Sequence, residues 1–406
     1  MKKVSIIMLG YNKLEYTKLA VDSLYKYTSH IDFDFVSVNN GSSDGTREYF
    51  ESLPNKKKIN FETNVGGDKA FNEALKYCDG EYTVFLNNDL ILTENWLDNL
   101  IKVMESDPKI GIAVPACNFS SNYQVISANY SNLDELDKFA KKYNKSYSDK
   151  WEERLRLVLY AAIFRTKDLK DIGGLDEVYS PGSFDDDDLS YRYRRAGYKL
   201  IFAKDTYIHH YGSITMKDVY EDVFIRNRGI FNIKFGVDSW EAAFIDFRIV
   251  NKILYNKRQK VSILGLGKTC GTTALQIKNM MKESGANDII LDYYALDKKY
   301  LIDLKTICNS VFYDEEDTLD FSCIKYKFDY IYIDEWIEKF KNIEEVLLSL
   351  KKILNDNGEI IFIFHNNKVS IDTITKDTLN NILNKLGYKI ISEELEGEEY
   401  IFAVTV

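Results

Sequence analysis

Short apolar runs alternate with stretches of helical periodicity through the first part of the chain. They predict buried strands over 4–9, 33–39 and 82–86, and helices over 17–27, 46–52, 68–77 and 96–106. Strand–helix alternation favours a mostly parallel sheet with helices on both faces. The strands end in loops rich in Asn, Asp, Gly and Ser, and such sheets bind ligands at the carboxyl ends of their strands. We therefore expect an α/β fold whose site is built from these loops.

A second strand that opens into a glycine turn begins at Val261 and divides the chain. The length of 406 residues is enough for two or three domains. Ahead of this strand, 238–260 has a helical pattern and ends in a basic run. The pattern predicts a first domain over 1–257, with a helical C-terminal extension over about 216–257, and a second domain over 258–406.

Composition narrows the class of protein. A net charge of -10 and a pI near 5.2 argue against nucleic acid as a partner. The five cysteines are odd in number and widely spaced, which disfavours a disulfide framework or a zinc site and favours a reduced cytoplasm. The apolar stretch at the N-terminus is too short for a signal peptide, and no segment approaches the ~18 apolar residues of a membrane span. We expect a cytoplasmic protein without a transmembrane segment.

Four consecutive carboxylates, Asp185 to Asp188, follow Phe184. Like charges raise one another's pKa, so the run opposes folding unless a cation or a reaction uses it. One interpretation is a solvated helix start, which the helix dipole favours. The other is a functional site.

Polar loops occur in a fixed order along the chain. After the loop that begins at Asn39 come Asn87-Asn88-Asp89, then the acidic run, then His209 and His210. A diphosphate carried on a divalent cation needs hard oxygen ligands, and Asp89 can supply one. A histidine can complete the shell of a manganese-like ion, although a lone histidine is more often a packed structural residue.

Residues 1 to about 235 resemble a family 2 inverting glycosyltransferase with the GT-A fold. The resemblance lies in the order of several motifs rather than in any one of them. They are the opening strand Ser5 to Asn12, Val38 to Thr46 (DNGSxDGT), Asn64 to Gly67 (NxG), Leu86 to Asp89 (DxD in its NxD form), Gly173 to Glu177 (GGFDE), Asp185 to Leu189 (EDxDL) and His210 to Ser213 (HxG(S)).

The resemblance implies a metal-dependent transferase that moves a sugar from a nucleotide-diphosphate donor with inversion. It favours a UDP-linked donor, for example an N-acetylhexosamine. The implied acceptor is a hydroxyl of a surface glycan precursor or of a protein such as flagellin.

The resemblance also assigns binding residues. The implied nucleotide-sugar contacts are Tyr11, Asn39, Asn64, Gly66, Gly67, Asn87 and Asn88. Manganese or magnesium would lie at Asp89 with His210 or His209. Two positions depart from the family pattern: Asn39 stands in place of an aspartate that grips the base and ribose, and Asn87 replaces the first acid of the metal motif.

By the same resemblance Asp186 is the general base, with Asp185 as the alternative. The base would deprotonate an acceptor hydroxyl during displacement at the anomeric carbon. Neighbouring acids would raise its pKa toward neutrality. In this prediction Asp188 caps the next helix and Asp187 is solvated.

Residues 258–406 resemble a class I S-adenosylmethionine-dependent methyltransferase of Rossmann-like α/β fold. The resemblance covers the strand and glycine turn over 261–271, then 328–338 and 354–363. The implied cofactor residues are Gly265, Gly267, Gly271 and Asp292. Asp292 fits the ribose acid loosely, and the family's LEH segment is present only in part, as Asp334-Glu335-Trp336.

Three interpretations of the whole protein stay open at this point. The leading one is a glycosyltransferase whose second domain is degenerate and used for docking or acceptor binding. A bifunctional glycosyltransferase and methyltransferase is the first alternative. The second alternative is a nucleotide-binding scaffold without catalysis, in which Asn39 and Asn87 mark the loss of activity.

Overall fold

The structure is a computed structural model. It describes residues 3–212, 220–255, 259–314, 319–365 and 374–406. Ser213 of the late motif, the first residues of the expected extension (216–219) and Asn256 to Arg258 lie outside the described residues.

The chain forms two compact units, Met1–Gly236 and Val237–Val406. The segment 237–255 groups with the second unit, whereas the boundary predicted from the sequence, at 257/258, assigns it to the first. No helix in the described ranges is both long and apolar enough to cross a membrane.

The first unit alternates strands and helices as predicted and adds shorter elements. In order, these are β1 (Val4–Gly10), α1 (Leu14–Thr28), β2 (Phe33–Asn40), α2 (Thr46–Ser52), β3 (Lys57–Phe61), α3 (Gly67–Leu75), β4 (Tyr82–Asn87), β5 (Leu90–Ile91), α4 (Trp96–Ser106), β6 (Ile110–Ala116), α5 (Leu133–Tyr143), β7 (Trp151–Arg154), β8 (Ala161–Arg165), α6 (Thr166–Ile172), α7 (Asp185–Arg195), β9 (Lys199–Tyr207), β10 (His209–His210) and α8 (Tyr220–Phe235).

The main sheet of this unit has the order β3-β2-β1-β4-β8-β6-β9-β7. Strands β1 to β4 are parallel to one another, and β6 is parallel to β9. Strands β8 and β7 run antiparallel to their neighbours, so the α/β fold is confirmed but the sheet is mixed. Apolar periodicity marks a strand without giving its direction.

Helices cover both faces of this sheet. The side chains of β1 point alternately to the two faces, and apolar residues lie on both. Ile6 packs in one apolar cluster with Trp96 of α4. Ile7 packs in the other cluster with Phe71 of α3. The register places Gly10 beside Asn39, and Leu9 beside Asn87. The polar loops that follow β1, β2 and β4 therefore lie at one edge of the sheet.

The second unit begins with two short helices and continues as a doubly wound sheet. Its elements are α9 (Ser239–Ala242), α10 (Phe247–Val250), β11 (Lys260–Gly267), α11 (Thr272–Glu283), β12 (Asp288–Ala295), α12 (Leu301–Leu304), β13 (Ser310–Tyr313), β14 (Phe328–Trp336), α13 (Ile343–Lys352), β15 (Leu354–His365), α14 (Lys376–Lys385), β16 (Lys389–Glu396) and β17 (Glu399–Thr405).

Its strand order is β13-β12-β11-β14-β15-β17-β16. The strands from β13 to β15 are parallel, and β17 is antiparallel to both of its neighbours. The first four positions repeat the 3-2-1-4 order of a Rossmann-like sheet, in which the ligand crevice lies beside the first strand. Leu347 of α13 and Leu379 of α14 pack in one buried cluster with Leu264 of β11.

Candidate active site

The loops after β1 and β2 are locked together by side-chain hydrogen bonds to backbone. Asn12 Oδ1 accepts from Ser43 N at 2.9 Å, and Asp44 Oδ2 accepts from Leu14 N at 2.8 Å. Burial disfavours the charge of Asp44, but hydrogen bonds from the Thr46 hydroxyl and from backbone amides lower its pKa below the usual value. These bonds hold the loops after β1 and β2 together at the edge of the sheet.

The two residues expected to meet the base differ in exposure. Tyr11 is 36% exposed and follows β1 directly. Asn39 is 1% exposed, and its Oδ1 accepts from Ser42 N at 3.0 Å. The amide nitrogen of Asn39 is a donor that the aspartate of the family pattern does not possess.

Asn40, which has no place among the predicted site residues, joins this loop to the next one. Its Nδ2 donates to Asn64 Oδ1 at 3.0 Å, and its Oδ1 accepts from Val65 N at 3.0 Å. Asn64 Oδ1 also accepts from Gly66 N at 2.9 Å. Asn40 lies within the DNGSxDGT-like motif, so the sequence contained a signal for its importance. The resemblance assigned the binding role to its neighbour Asn39 instead.

The two glycines at the start of α3 have different roles. Gly66 has a φ of +90°, and a Cβ built on it would lie 2.0 Å from Ser180 Oγ, so this position requires glycine. A Cβ at Gly67 meets no heavy atom within 4 Å among the described residues. Gly66 thus brings the loop 180–184 close to α3, whereas the donor contact of Gly67 stays a prediction.

The structure brings Asp89 and His210 together. His210 Nε2 lies 3.3 Å from Asp89 Oδ1, and both residues are less than 9% exposed. The pairing of β10 with β5, in which His210 stands opposite Leu90, sets this approach. His210 Nδ1 donates to the Phe119 carbonyl at 2.7 Å. That bond fixes the tautomer and leaves Nε2 facing Asp89, as in the metal-binding form of histidine.

Burial opposes protonation of His210, but hydrogen bonds with Asp89 and Cys117 raise its pKa to about 10. A divalent ion would displace this proton, as metal binding to histidine generally does. Among the described residues, no group of three or more His, Cys, Asp or Glu side chains is arranged to hold a metal. The Asp89–His210 pair fits a metal whose remaining ligands are diphosphate and water.

His209 does not face Asp89, and Asn88 binds a neighbouring helix. The Nδ1 atom of His209 is 2.6 Å from the Tyr130 hydroxyl, and burial lowers the pKa of its ring. Adjacent strand residues point to opposite faces, so His209 faces an aromatic cluster rather than Asp89. Asn88 Nδ2 donates to Thr17 Oγ1 at 2.8 Å, which ties the loop to α1. Asn87 is half-buried at the end of β4.

The acidic run begins α7 and divides into two pairs. The prediction that Asp187 is solvated is wrong: it is 5% exposed, and Arg156 Nη1 lies 2.9 Å from its Oδ1. Asp188 is fully buried and pairs with Arg192 and Lys234, so it is not a cap. Asp187 and Asp188 are therefore paired with cations. Carboxylates of a solvated helix start would not need such partners.

Asp185 and Asp186 are half-buried and form the other pair. Asp186 Oδ2 accepts from Leu159 N at 3.2 Å. Burial and then the charge of Asp185 raise the pKa of Asp186 well above the usual value. Burial also raises the pKa of Asp185. A raised pKa suits a base that works near neutrality.

Two consecutive residues link this pair to the Asp89–His210 pair. Leu159 N donates to Asp186, while the ring of the next residue, Tyr160, stacks on His210 with centroids 5.4 Å apart. The Tyr160 carbonyl accepts from Asn87 N at 3.0 Å. The consecutive residues Leu159 and Tyr160 thus contact the acid pair and the expected metal position, respectively. Nothing in the composition of 157–160 marks it as part of that site.

The family model described as glycosyl transferase family 2 matches residues 5–173. This region is a family 2 glycosyltransferase domain. Asp89 lies inside the matched region, whereas Asp186 and His210 lie beyond its end.

Three curated relatives illustrate the similarity. The chain is 31% identical over 114 residues to an uncharacterized glycosyltransferase of Nostoc sp., covering 27% of this chain and 35% of the relative. It is 26% identical over 111 residues to the poly-beta-1,6-N-acetyl-D-glucosamine synthase of Staphylococcus epidermidis (27% of each). It is 36% identical over 94 residues to the poly(ribitol-phosphate) beta-N-acetylglucosaminyltransferase of Staphylococcus aureus (22% and 16%). The chain thus spans about a third or less of each relative.

Solved structures similar to the chain include two with bound nucleotide. One is S. aureus TarS 1-349 in complex with UDP-GlcNAc, at a TM-score of 0.43 and 20% identity over 57% of this chain and 66% of that one. The other is the mannosyltransferase PcManGT of Pyrobaculum calidifontis in complex with GDP-Man and Mn2+, at 0.39 and 20% over 52% and 58%.

Helix α8 supports the loop over 179–184, which lies beyond the region that the family model matches. Asn227 is fully buried, and its Nδ2 donates to the carbonyls of Tyr179, Gly182 and Ser183 at 2.7, 2.8 and 2.9 Å. This loop leads directly into Asp185. The sequence predicted a helical extension here but gave no sign of this role, because a single asparagine in a helix has no distinctive pattern.

We expect Asn227→Leu to lower both stability and transfer. The Tyr179 carbonyl keeps the Gly182 amide as a donor, but the carbonyls of Gly182 and Ser183 would lose this partner, at about 1–3 kcal/mol for each that stays buried without one. The loop that positions Asp185 and Asp186 would loosen. Thermal unfolding should show the loss, and the maximal transfer rate should fall while donor affinity stays close to wild type. Ile233→Ala, at an 88% exposed position of the same helix, is the control and should change neither quantity. A weakened donor affinity in Asn227→Leu would contradict this account.

In the second unit Gly265 and Gly267 lie within β11, beside Tyr293 and Asp334 of the neighbouring strands. A Cβ at Gly265 would lie 2.5 Å from the Tyr293 ring, and one at Gly267 would lie 2.7 Å from Asp334. Gly271 has a φ of +79° and precedes α11. Thr269 Oγ1 donates to Asp334 Oδ2 at 2.6 Å. The glycines therefore admit neighbouring side chains of the same unit.

Asp292 does not occupy the place expected of a ribose acid. It lies within β12, is fully buried, and accepts from Ser310 N at 2.8 Å and from the Tyr326 hydroxyl. The acid that follows the carboxyl end of β12 is Asp297, whose Oδ1 accepts from Lys299 N at 2.9 Å. The error came from the length of the strand, which continues to Ala295.

Proposed function

We propose that the first unit transfers a sugar from a nucleotide-diphosphate donor to an acceptor hydroxyl, with a divalent metal and with inversion. The observation that carries this proposal is the link made by Leu159 and Tyr160. It joins a carboxyl pair of raised pKa to an aspartate–histidine pair at the edge of a family 2 domain.

Asp89 and His210 would hold manganese or magnesium together with the diphosphate. When bound, the ion neutralises charge on the departing nucleotide. Asp186 takes the proton of the acceptor hydroxyl while that oxygen attacks the anomeric carbon and the bond to the diphosphate breaks. The Leu159 amide fixes the carboxyl of Asp186 during this step.

For the donor we propose UDP-N-acetylglucosamine. The names of two of the relatives given above support an N-acetylglucosaminyl group, and the S. aureus neighbour is a complex with UDP-GlcNAc. The proposed acceptor is a surface glycan precursor, with a protein such as flagellin as the alternative. None of the five cysteines forms a disulfide, which supports a cytoplasmic location.

Thermal unfolding with nucleotides tests donor binding. UDP with manganese at ~100 times its dissociation constant should add roughly 2.7 kcal/mol of stability, and GDP under the same conditions serves as the control. Chelation of the metal should remove most of the increase. Unchanged unfolding with every nucleoside diphosphate would favour a scaffold that does not bind a donor.

For the second unit, over about 258–406, we propose a methyltransferase-like Rossmann domain that does not use S-adenosylmethionine. Tyr293 and Asp334 pack against the glycines that would face this cofactor, and Asp292 is engaged within the unit. The parallel strand order supports the fold.

We expect calorimetric titration of the full chain with S-adenosylmethionine to show no binding at millimolar concentration. Micromolar affinity would overturn the degenerate interpretation and make the protein bifunctional. In that case Asp297→Asn should weaken the affinity about ten- to a hundredfold, since the ribose would lose a charge-assisted hydrogen bond.

A further inference from the structure

A third carboxyl group lies beside the acid pair and has no role in the reaction described so far. Asp68, the second residue of α3, is 1% exposed, and no hydrogen-bond donor among the described residues reaches its Oδ2. An ionised carboxyl without a donor at this depth is costly, so burial favours the protonated form. A carboxyl kept there at a cost to stability is typical of a functional site.

The packing of α3 accounts for this position. The side chain of Asn72 binds both backbone groups of Leu175, at 2.8 and 3.0 Å, and Gly66 allows the close approach of Ser180. These contacts hold the start of α3 against the loop that leads into α7. Asp68 thereby lies within hydrogen-bonding reach of Asp185.

The charged groups that act on Asp68 are acids. They are Asp185, Asp186 and Glu177. The nearby cations are engaged with the remaining two acids of the run: Arg156 with Asp187, and Arg192 and Lys234 with Asp188. Burial and then the charge of Asp185 raise the pKa of Asp68 to about 9. Asp68 therefore keeps its proton at neutral pH.

We propose that Asp68 is a positioning residue for the base: as a neutral carboxylic acid it donates a hydrogen bond to Asp185 and leaves Asp186 to accept the acceptor proton. This inference rests on the proposed transfer reaction. The proton of the acceptor hydroxyl goes to Asp186, the new glycosidic bond forms and the bond to the diphosphate breaks. The proton on Asp68 stays in place throughout.

The pH dependence of stability tests whether Asp68 holds this proton, independently of any activity. Burial and Asp185 raise the pKa of Asp68 to about 9 in the folded chain, whereas an ordinary aspartate has a pKa near 3.8. The folded state binds more protons between these values, so stability falls as the pH rises across this range. Asp68→Asn should match wild type near pH 4 and unfold at a temperature several degrees higher at pH 8.

Asp134→Asn is the matched control, because Asp134 is exposed in the first turn of α5. Its unfolding temperature should run parallel to wild type at every pH. A difference between Asp68→Asn and wild type that is the same at all pH values would overturn the proposed protonation of Asp68, whether or not the protein transfers sugar.

Transfer kinetics test the positioning role. Asp68→Ala should lower the transfer rate about ten- to a hundredfold, the value of one hydrogen bond to a charged group, with little change in KM for the donor. Asp68→Asn keeps a neutral donor and should recover most of that rate. It should also lack the loss of rate near pH 9 that wild type shows when Asp68 ionises. Equal loss in both variants would refute a neutral donor while leaving the transferase proposal intact, and absence of transfer in wild type would refute the transferase proposal itself.

Discussion

Asp186→Asn should abolish most sugar transfer and leave donor binding nearly unchanged. The amide keeps the size of the side chain but cannot accept the acceptor proton. Loss of a general base typically costs about 10²–10⁴-fold in rate. Transfer kinetics and calorimetric titration with UDP and manganese would separate the two effects.

The matched comparison is Asp185→Asn, which alters the neighbouring carboxyl and should have the smaller effect. The pH profile gives a second check. Burial and Asp185 raise the pKa of Asp186, and the base must be ionised to act. The rate should therefore fall with decreasing pH through a pKa well above the ordinary aspartate value. Full activity in Asp186→Asn would move the base to Asp185 or elsewhere.

Asp89→Ala should have the second large effect, on metal-dependent binding of UDP. It removes a carboxylate ligand of a hard divalent ion. Loss of a residue that only supports a metal ligand costs about 10–100-fold in affinity. Loss of the ligand Asp89 itself should lower the affinity for UDP with manganese by at least as much. Calorimetry in the presence of manganese measures it, and His210→Ala should change the affinity in the same direction but less.

His209→Ala is the control for this series, since His209 lies on the opposite face of β10 and binds Tyr130. It should leave UDP affinity close to wild type. Unchanged UDP affinity in Asp89→Ala would show that Asp89 is not a metal ligand. If only His209→Ala weakens UDP binding, His209 rather than His210 is the histidine at the metal position.

Local sequence patterns predicted the strands, the helices and the order of the polar loops at one edge of the sheet. They did not determine which member of a run faces the site. Asp187 and Asp188 differ from Asp185 and Asp186 because Arg156 and Lys234 reach them from distant parts of the chain. His210 rather than His209 meets Asp89 because of the pairing of β10 with β5.

Other features depend on contacts that no short pattern records. Leu159 contributes a backbone amide, and Asn227 contributes one side chain to three carbonyls. Asp68 follows a glycine motif but becomes notable only when α3 packs against the segment that leads into α7. In the second unit, the glycine pattern at 265–271 marks positions that neighbouring groups approach closely. The groups found there are Tyr293 and Asp334 of the same unit, whereas the resemblance implied a cofactor.

Release of nucleoside diphosphate from a panel of nucleotide sugars tests the central claim most directly. The wild-type chain with manganese should release UDP from UDP-N-acetylglucosamine faster than it releases GDP from GDP-mannose, and chelation of the metal should stop the reaction. Asp186→Asn and Asp89→Ala should both fall toward the rate of the uncatalysed control. Absence of release from every donor in the panel, or a rate that both substitutions leave unchanged, would contradict the assignment of this site to sugar transfer.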